Sequence, residues 1–124
     1  MRPLRVLVAD DSAFNRRTIA DILSQLPGVE IVGKAVDGEQ ALSLAFLEKP
    51  DLVTLELEMP RMDGFGLLQA IKNDPRLAGL PVIPMTSRAD EADIRRGLEL
   101  GAGAYLTKQK FDQRELLATI GQLL

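Results

Sequence analysis

Cysteine and histidine are both absent from this chain of 124 residues. Without cysteine there is no disulfide framework and no thiolate metal site. Without histidine the chain lacks the commonest metal ligand and the commonest general base near neutral pH. Any chemistry must therefore run on carboxylates, lysines or hydroxyls. Aromatic residues are scarce as well: Phe14, Phe46, Phe65, Tyr105 and Phe111 make up the whole set, too few for a base-stacking platform. Basic charge is in short supply, with 15 Lys and Arg against 18 Asp and Glu and a formal net charge of −3. No cationic field exists to hold nucleic acid by its phosphates. No apolar run approaches the roughly 18–20 residues needed to span a bilayer. The opening MRPLRVLVADD turns acidic within a few residues and lacks a small-residue cleavage site, so it reads as a strand and not as a signal peptide. The cytoplasm is the expected compartment, with neither nucleic acid nor membrane as partner.

What remains is the balance of an ordinary globular protein, 46% hydrophobic and 27% charged. The length fits a single domain over residues 1–124, large enough to bury a core without metal or disulfide staples. Two kinds of segment alternate. Short runs rich in Val, Ile and Leu predict strands buried on both faces at Leu4–Ala9, Val29–Gly33, Asp51–Leu57, Pro81–Met85 and Ala104–Thr107. Between them the apolar residues follow helical spacing: Ile19, Ile22, Leu23 and Leu26; then Ala41, Leu44, Ala45 and Leu47; then Leu67, Leu68 and Ile71. A weaker segment spans about Ala89 to Leu100, and Leu116, Leu117, Ile120, Leu123 and Leu124 mark the clearest one. Ser12 and Asp37 stand where N-caps belong, and Asp63-Gly64 opens the third helix. Pro27-Gly28, Lys49-Pro50 and Asp74-Pro75 close helices, and Gly101 follows the fourth in C-cap position. Five strands alternating with five helices predict an α/β, doubly wound (βα)5 domain around a parallel five-stranded sheet.

In such a sheet the functional crevice lies beyond the carboxyl ends of the strands. The first strand ends in Asp10-Asp11, the third at Glu56 followed by Leu57-Glu58-Met59-Pro60, the fourth in Thr86-Ser87 and the fifth in Thr107-Lys108. Carboxylates, a hydroxyl and an ammonium should thus meet at one edge. Clustered carboxylates repel one another and call for a cation, and hard oxygens suit Mg²⁺. Such a metal, with Lys108 and Thr86, would form a set able to handle a phosphoryl group or an imitation of one.

VLVADDS (Val6–Ser12), PDLVTLELEMPRMDG (Pro50–Gly64), PVIPMTS (Pro81–Ser87) and GAGAYLTK (Gly101–Lys108) together resemble the signature blocks of two-component response-regulator receiver domains. The likeness covers the whole chain. PGVEIVGKAVDGEQAL is similar to receivers of chemotaxis-type regulators, and TSRADE with YLTKQKFDQRELLATI to receivers attached to chemotaxis kinases. The resemblance implies a flavodoxin-like fold, Mg²⁺ as cofactor, and a signalling module with no catalytic residue of its own. Asp10 and Asp11 match the metal-binding acid pair, with Glu56 beside them and the backbone carbonyl of Glu58 as a further ligand. Thr86 matches the switch hydroxyl, Tyr105 the switch aromatic and Lys108 the phosphate-contacting lysine. The implied partners are a sensor histidine kinase or phosphotransfer domain, and a downstream protein on the face of the fourth helix, fifth strand and fifth helix. Homodimer formation is left open. Glu58 and Arg88 occupy positions that tune the lifetime of the phosphorylated state.

Two positions depart from that pattern. The family's phospho-acceptor is Asp, and here it is Glu56. The added methylene carries the carboxylate outward by roughly one carbon–carbon bond. Positioning supplies much of the barrier reduction in such a transfer, and a displacement near 1 Å can cost on the order of 10²-fold. Little or no phosphorylation is expected at Glu56. The same displacement brings negative charge toward the place of a phosphoryl group, though −1 against about −1.5 to −2 for phosphate makes any mimicry partial. The second departure is Gln109, where the family usually has a cis proline; a non-proline cis bond costs about 2.5–4 kcal/mol, so a trans Lys108–Gln109 peptide is expected.

Blander readings exist for each residue. Asp10-Asp11 could simply cap a helix, Glu56 could pair with Lys108 at the surface, Thr86 could cap locally, and Arg95, Arg96 and Glu99 read as a solvated helix face. A phosphate-independent pseudo-receiver, acting as adaptor or dimerisation module, is the alternative function. An enzyme on a similar scaffold is disfavoured, because no Asp-x-Asp motif follows the first strand and no glycine-rich phosphate loop is present.

Overall fold

A computed structural model describes residues 3–57, 59, 61–86, 91–102, 106–107, 114, 118–119 and 121. The alternation expected from the apolar runs is realised as β1 (Leu4–Ala9), α1 (Ala13–Ser24), β2 (Val29–Ala35), α2 (Gly38–Glu48), β3 (Leu52–Leu55), α3 (Gly64–Asn73), β4 (Val82–Thr86), α4 (Glu91–Glu99) and β5 (Leu106–Thr107). All strand pairs are parallel and the order is β2-β1-β3-β4-β5. The fold is therefore the flavodoxin-like α/β arrangement that the sequence resemblance implied. Arg114, Ala118, Thr119 and Gly121 are helical; the remainder of the expected fifth helix lies outside the described residues.

Successive strand side chains point to opposite faces, and this splits the core in two. Leu7, Ala9, Val53 and Leu55 pack with Ala41 and Ala45 of α2 and Leu67, Leu68 and Ile71 of α3. On the other face Val6, Val8, Leu52, Ile83 and Met85 pack with Ile19, Leu23 and Leu26 at α1. Each large side chain fully removed from water contributes about 1.5–3 kcal/mol, so the two layers together fix which way every strand end faces.

The caps are where the sequence places them. Ser12, Asp37 and Asp63 accept from Asn15 N, Gln40 N and Gly66 N at 3.2, 2.7 and 2.8 Å. Gly101, at φ +102°, ends α4 with Ala102 N donating to Gly97 O, the left-handed closure that favours glycine. Elsewhere the boundaries differ. β2 runs on to Ala35 because its pairing with Ala9 continues, although Lys34 there is exposed. β3 stops at Leu55, although the Glu56 N–H still bonds to β1. Leu47, expected on the inner face of α2, is 74% exposed; two residues beyond Ala45 it lies about 200° round the helix.

Candidate functional site

The chain leaves β1 outward to β2 and returns on the other side to β3, so β1 and β3 flank the point where strand order reverses. A crevice forms at such a point beyond the carboxyl ends. Ala9 pairs with Leu55, which places Asp10 and Glu56, the next residue on each strand, side by side. Glu56 N–H donates to Ala9 O at 2.9 Å. Asp10 is 1% exposed and Glu56 4%, whereas Asp11 stands exposed on the turn.

Local hydrogen bonds pin Asp10 from several directions. Its N–H reaches Ala35 O at 3.0 Å, its Oδ1 accepts from Ser12 N at 2.9 Å, and its carbonyl accepts from Arg16 Nη1 at 2.7 Å. The loop after Glu56 is fixed by close backbone approach. Gly64 N–H donates to Leu57 O at 2.8 Å, and a Cβ on Gly64 would lie 2.6 Å from Glu56 O. A Cβ on Gly38 would fall 2.0 Å from Met62 O, so the start of α2 is jammed against the same loop. Arg61, at φ 70°, adds ion pairs to Asp37 at 3.6 Å and Glu39 at 3.9 Å. The left-handed conformation of a non-glycine residue is unfavourable by roughly 1–2 kcal/mol, and here it turns the guanidinium toward two carboxylates.

Of the sequence-assigned site residues, the structure brings Asp10 and Glu56 together and puts Asp11 on the adjoining turn. Thr86 ends β4, paired with Thr107 at the same edge; its side chain is not described. Glu58, Arg88, Tyr105, Lys108 and Gln109 lie outside the described residues. Among the described residues no three His, Cys, Asp or Glu side chains are grouped as a metal-holding set. The donors fit a hard cation in kind, being oxygens from two buried carboxylates on adjacent strand ends.

Sequence reasoning passed over Arg16 and Arg61, whose partners are six or more residues away. Arg95, Arg96 and Glu99 are exposed, as a solvated helix face requires, but spacing gave no sign of a ring contact at Arg96. Although exposed, Arg96 places its guanidinium 4.2 Å from the ring centroid of buried Phe65, a cation–π contact, while Arg95 pairs with Glu91 at 3.2 Å along α4. A groove of about 790 Å³, lined by Phe46, Lys49, Pro50, Arg76, Leu77 and Leu80 among others, opens at the opposite edge of the sheet. It lies away from the acid pair, and the chemistry follows the acids.

The chain's relatives share this architecture. The sequence pattern of the response regulator receiver domain matches residues 6–121. A protein-glutamate methylesterase/protein-glutamine glutaminase of Geobacter sulfurreducens is 45% identical over 120 residues, which is 97% of this chain and 32% of that protein. A probable transcriptional regulator ycf27 of Cyanophora paradoxa is 42% identical over 97% of this chain and 48% of its own length. The chain thus spans between about a third and a half of these relatives. The response regulator domain of Thermotoga maritima CheB superposes with a TM-score of 0.88 at 36% identity, covering 98% of this chain and 96% of that one. A CheX–CheY–BeF3–Mg²⁺ complex from Borrelia burgdorferi matches with a TM-score of 0.89 at 28% identity, covering 98% and 90%. None of the described helices is long and apolar enough to cross a membrane. With its pattern matched nearly end to end and the CheB and CheY folds reproduced, the chain belongs to the response regulator receiver domain family of two-component signalling.

Proposed function

We propose that the edge carrying Asp10, Asp11 and Glu56 is the phosphoryl-handling site of this receiver, and that Glu56 occupies its acceptor position in a form that does not take phosphate. The observation that carries this reading is the burial of Glu56, 4% exposed, beside Asp10 at the point where strand order reverses. A carboxylate so placed is costly unless a specific arrangement compensates it, and such sites cluster where function is. Asp10 and Asp11, with the carbonyl of Glu58, would hold Mg²⁺, which would supply charge neutralisation to an incoming phosphoryl group. The chain itself acts as a binding module and not as an enzyme, in the cytoplasm. Its donor is a sensor histidine kinase or phosphotransfer domain. Its output is a partner, or a second copy of the chain, bound on the face of α4, β5 and the C-terminal helix, with Thr86, Tyr105 and Lys108 relaying the state of the site.

Glu56 then acts in two ways. It stops phosphorylation by misplacing the nucleophile, and it biases the domain partway toward the activated arrangement by projecting charge to where phosphate would sit. Amide NMR spectra test both at once, recorded on this chain and on Glu56→Asp, each with and without Mg²⁺ and beryllofluoride, a phosphoryl mimic. The Asp variant should shift throughout β4 and α4 on adding the mimic. The Glu56 chain should stay unchanged, with its resonances between the two Asp endpoints. Resonances coinciding with the free Asp variant would reject mimicry. An Asp variant that ignores Mg²⁺ and the mimic would instead leave a phosphate-independent adaptor or dimerisation module.

A further inference from the structure

Among the described residues, only Lys49 and Arg61 combine a side chain with a left-handed backbone. Lys49 ends α2, where that conformation is an ordinary way to close a helix. Arg61 closes no helix. It stands at φ 70° in the loop between β3 and α3, a conformation that glycine or asparagine enters at less cost. Its ion pairs, 3.6 Å to Asp37 and 3.9 Å to Glu39, come from a side chain that is 68% exposed. Exposed pairs of that length return little in water, so stability alone does not account for the strained backbone. Strain retained without such a return gathers at functional sites.

Arg61 joins two segments that each touch an acid-bearing strand end. On one side, Asp37 is held by its own helix. Its Oδ1 accepts from Gln40 N at 2.7 Å, and Gln40 Oε1 accepts in return from Val36 N at 2.7 Å. The preceding Ala35 O takes the Asp10 N–H at 3.0 Å, and Asp37 Oδ2 is the atom that meets Arg61 Nε. On the other side, Met62 O lies so close to Gly38 that a Cβ there would fall 2.0 Å from it, and Gly64 N–H donates to Leu57 O at 2.8 Å. The paired register of β1 and β3 ends at Ala9 and Leu55, with one further bond from Glu56 N. The loop beyond must be held from elsewhere, and the contacts that run from Asp10 through Ala35 and Asp37 reach it at Arg61.

We propose that Arg61 is a positioning residue, a clasp between the start of α2 and the β3–α3 loop that holds the loop after Glu56 in register with the Asp10 turn. The clasp thereby sets the fit of this edge to a cation, a clause that rests on the reading of the edge as an Mg²⁺ site.

Hydrogen exchange of the full chain in chelator reads the clasp at Gly64, whose N–H is bonded to Leu57 O, with the Val53 N–H of the sheet core as reference. Arg61→Asn accepts the left-handed backbone but is too short to reach either carboxylate. Its Gly64 should exchange about fivefold faster, while Val53 exchanges no faster. Unchanged exchange at Gly64 would overturn the proposal, and so would equal acceleration at Gly64 and Val53, the sign of a general loss of stability. Arg61→Lys keeps charge and reach and should recover more than half of the protection; exchange as fast as in Arg61→Asn would overturn the ionic clasp. An Mg²⁺ titration by NMR in the Glu56→Asp background reads the consequence. Arg61→Asn should raise the midpoint there about threefold, although losing a positive charge would by itself lower it. A midpoint that stays or falls would overturn the link to the acid edge. If the Glu56→Asp chain shows no response to Mg²⁺, the reading of the edge fails, and the exchange rates still decide the clasp.

Discussion

Where the strands begin, charges come in opposite pairs. Arg5 donates to the carbonyls of Glu48 and Lys49 that end α2 and pairs with the Glu48 carboxylate at 3.4 Å, while its own N–H reaches Asp51 Oδ2 at 2.9 Å. Arg76 forks onto Asp74 with contacts of 3.1 and 3.0 Å and stacks 4.5 Å over Phe46. Lys72 Nζ caps Ala78 O and Leu80 O, and burial lowers its pKa from the usual lysine range. Where the strands end, by contrast, two carboxylates of the same sign are buried side by side. The first arrangement is accounted for by stability alone. The second calls for compensation, because burying like charges works against folding. On the proposed reading, the two edges contrast charges in structural service with charges retained for chemistry.

Glycine substitutions test the contrast most severely. Gly38→Ala places a methyl where Met62 O stands and should cost about 3 kcal/mol in urea unfolding, whereas Gly79→Ala meets nothing within 4 Å at the other edge and should stay within about 0.5 kcal/mol. Comparable losses would mean that the acid-edge loops are no more tightly set than the rest. Arg5→Ala comes next. Losing its carbonyl contacts should cost about 1–2 kcal/mol while leaving the Mg²⁺ response of the acid edge as it was; a changed Mg²⁺ midpoint would break the separation of the two edges. Thr54→Val should go the other way. Among the described residues the buried Thr54 hydroxyl has no hydrogen-bond partner, so a methyl of similar shape should stabilise by about 1 kcal/mol in thermal melts.

The smallest effect belongs to Asp74. Hydrogen bonds from the Arg76 side chain, then from its backbone N–H, hold this carboxyl below the usual range. A lowered folded pKa means that the contribution is present above the unfolded value, about 3.9, and is lost as pH falls through the lower folded value. Asp74→Asn should flatten the acid limb of a stability–pH curve slightly, and less so at high salt, since the pair is exposed.

Periodicity and caps made the fold legible before any coordinates. Val6, Val8, Leu52 and Val53 announce strands buried on both faces, and Ser12, Asp37 and Asp63 announce helix starts, because these signals depend on neighbours a few residues apart. The acid edge was legible for the same reason: Asp10 and Glu56 terminate recognisable strands, and parallel topology brings strand ends together. Leu47 misled because apolar composition was read without its angle on the helix. Arg16 and Arg61 were missed, and the ring contact of exposed Arg96 was not foreseen, because long side chains choose partners across space: Arg16 a strand-end carbonyl, Arg61 the cap of another helix, Arg96 an aromatic ring on α3. Spacing along the chain carries no trace of such choices.

Intact mass after incubation with acetyl phosphate and Mg²⁺, on this chain and its Glu56→Asp variant together, is the most direct measurement of what the acid edge does. The expected result is one added phosphoryl group on the Asp variant and none on the Glu56 chain, which makes a single methylene the difference between a working acceptor and a blocked one. A phosphorylated Glu56 chain, or an Asp variant that also stays unmodified, would contradict that reading.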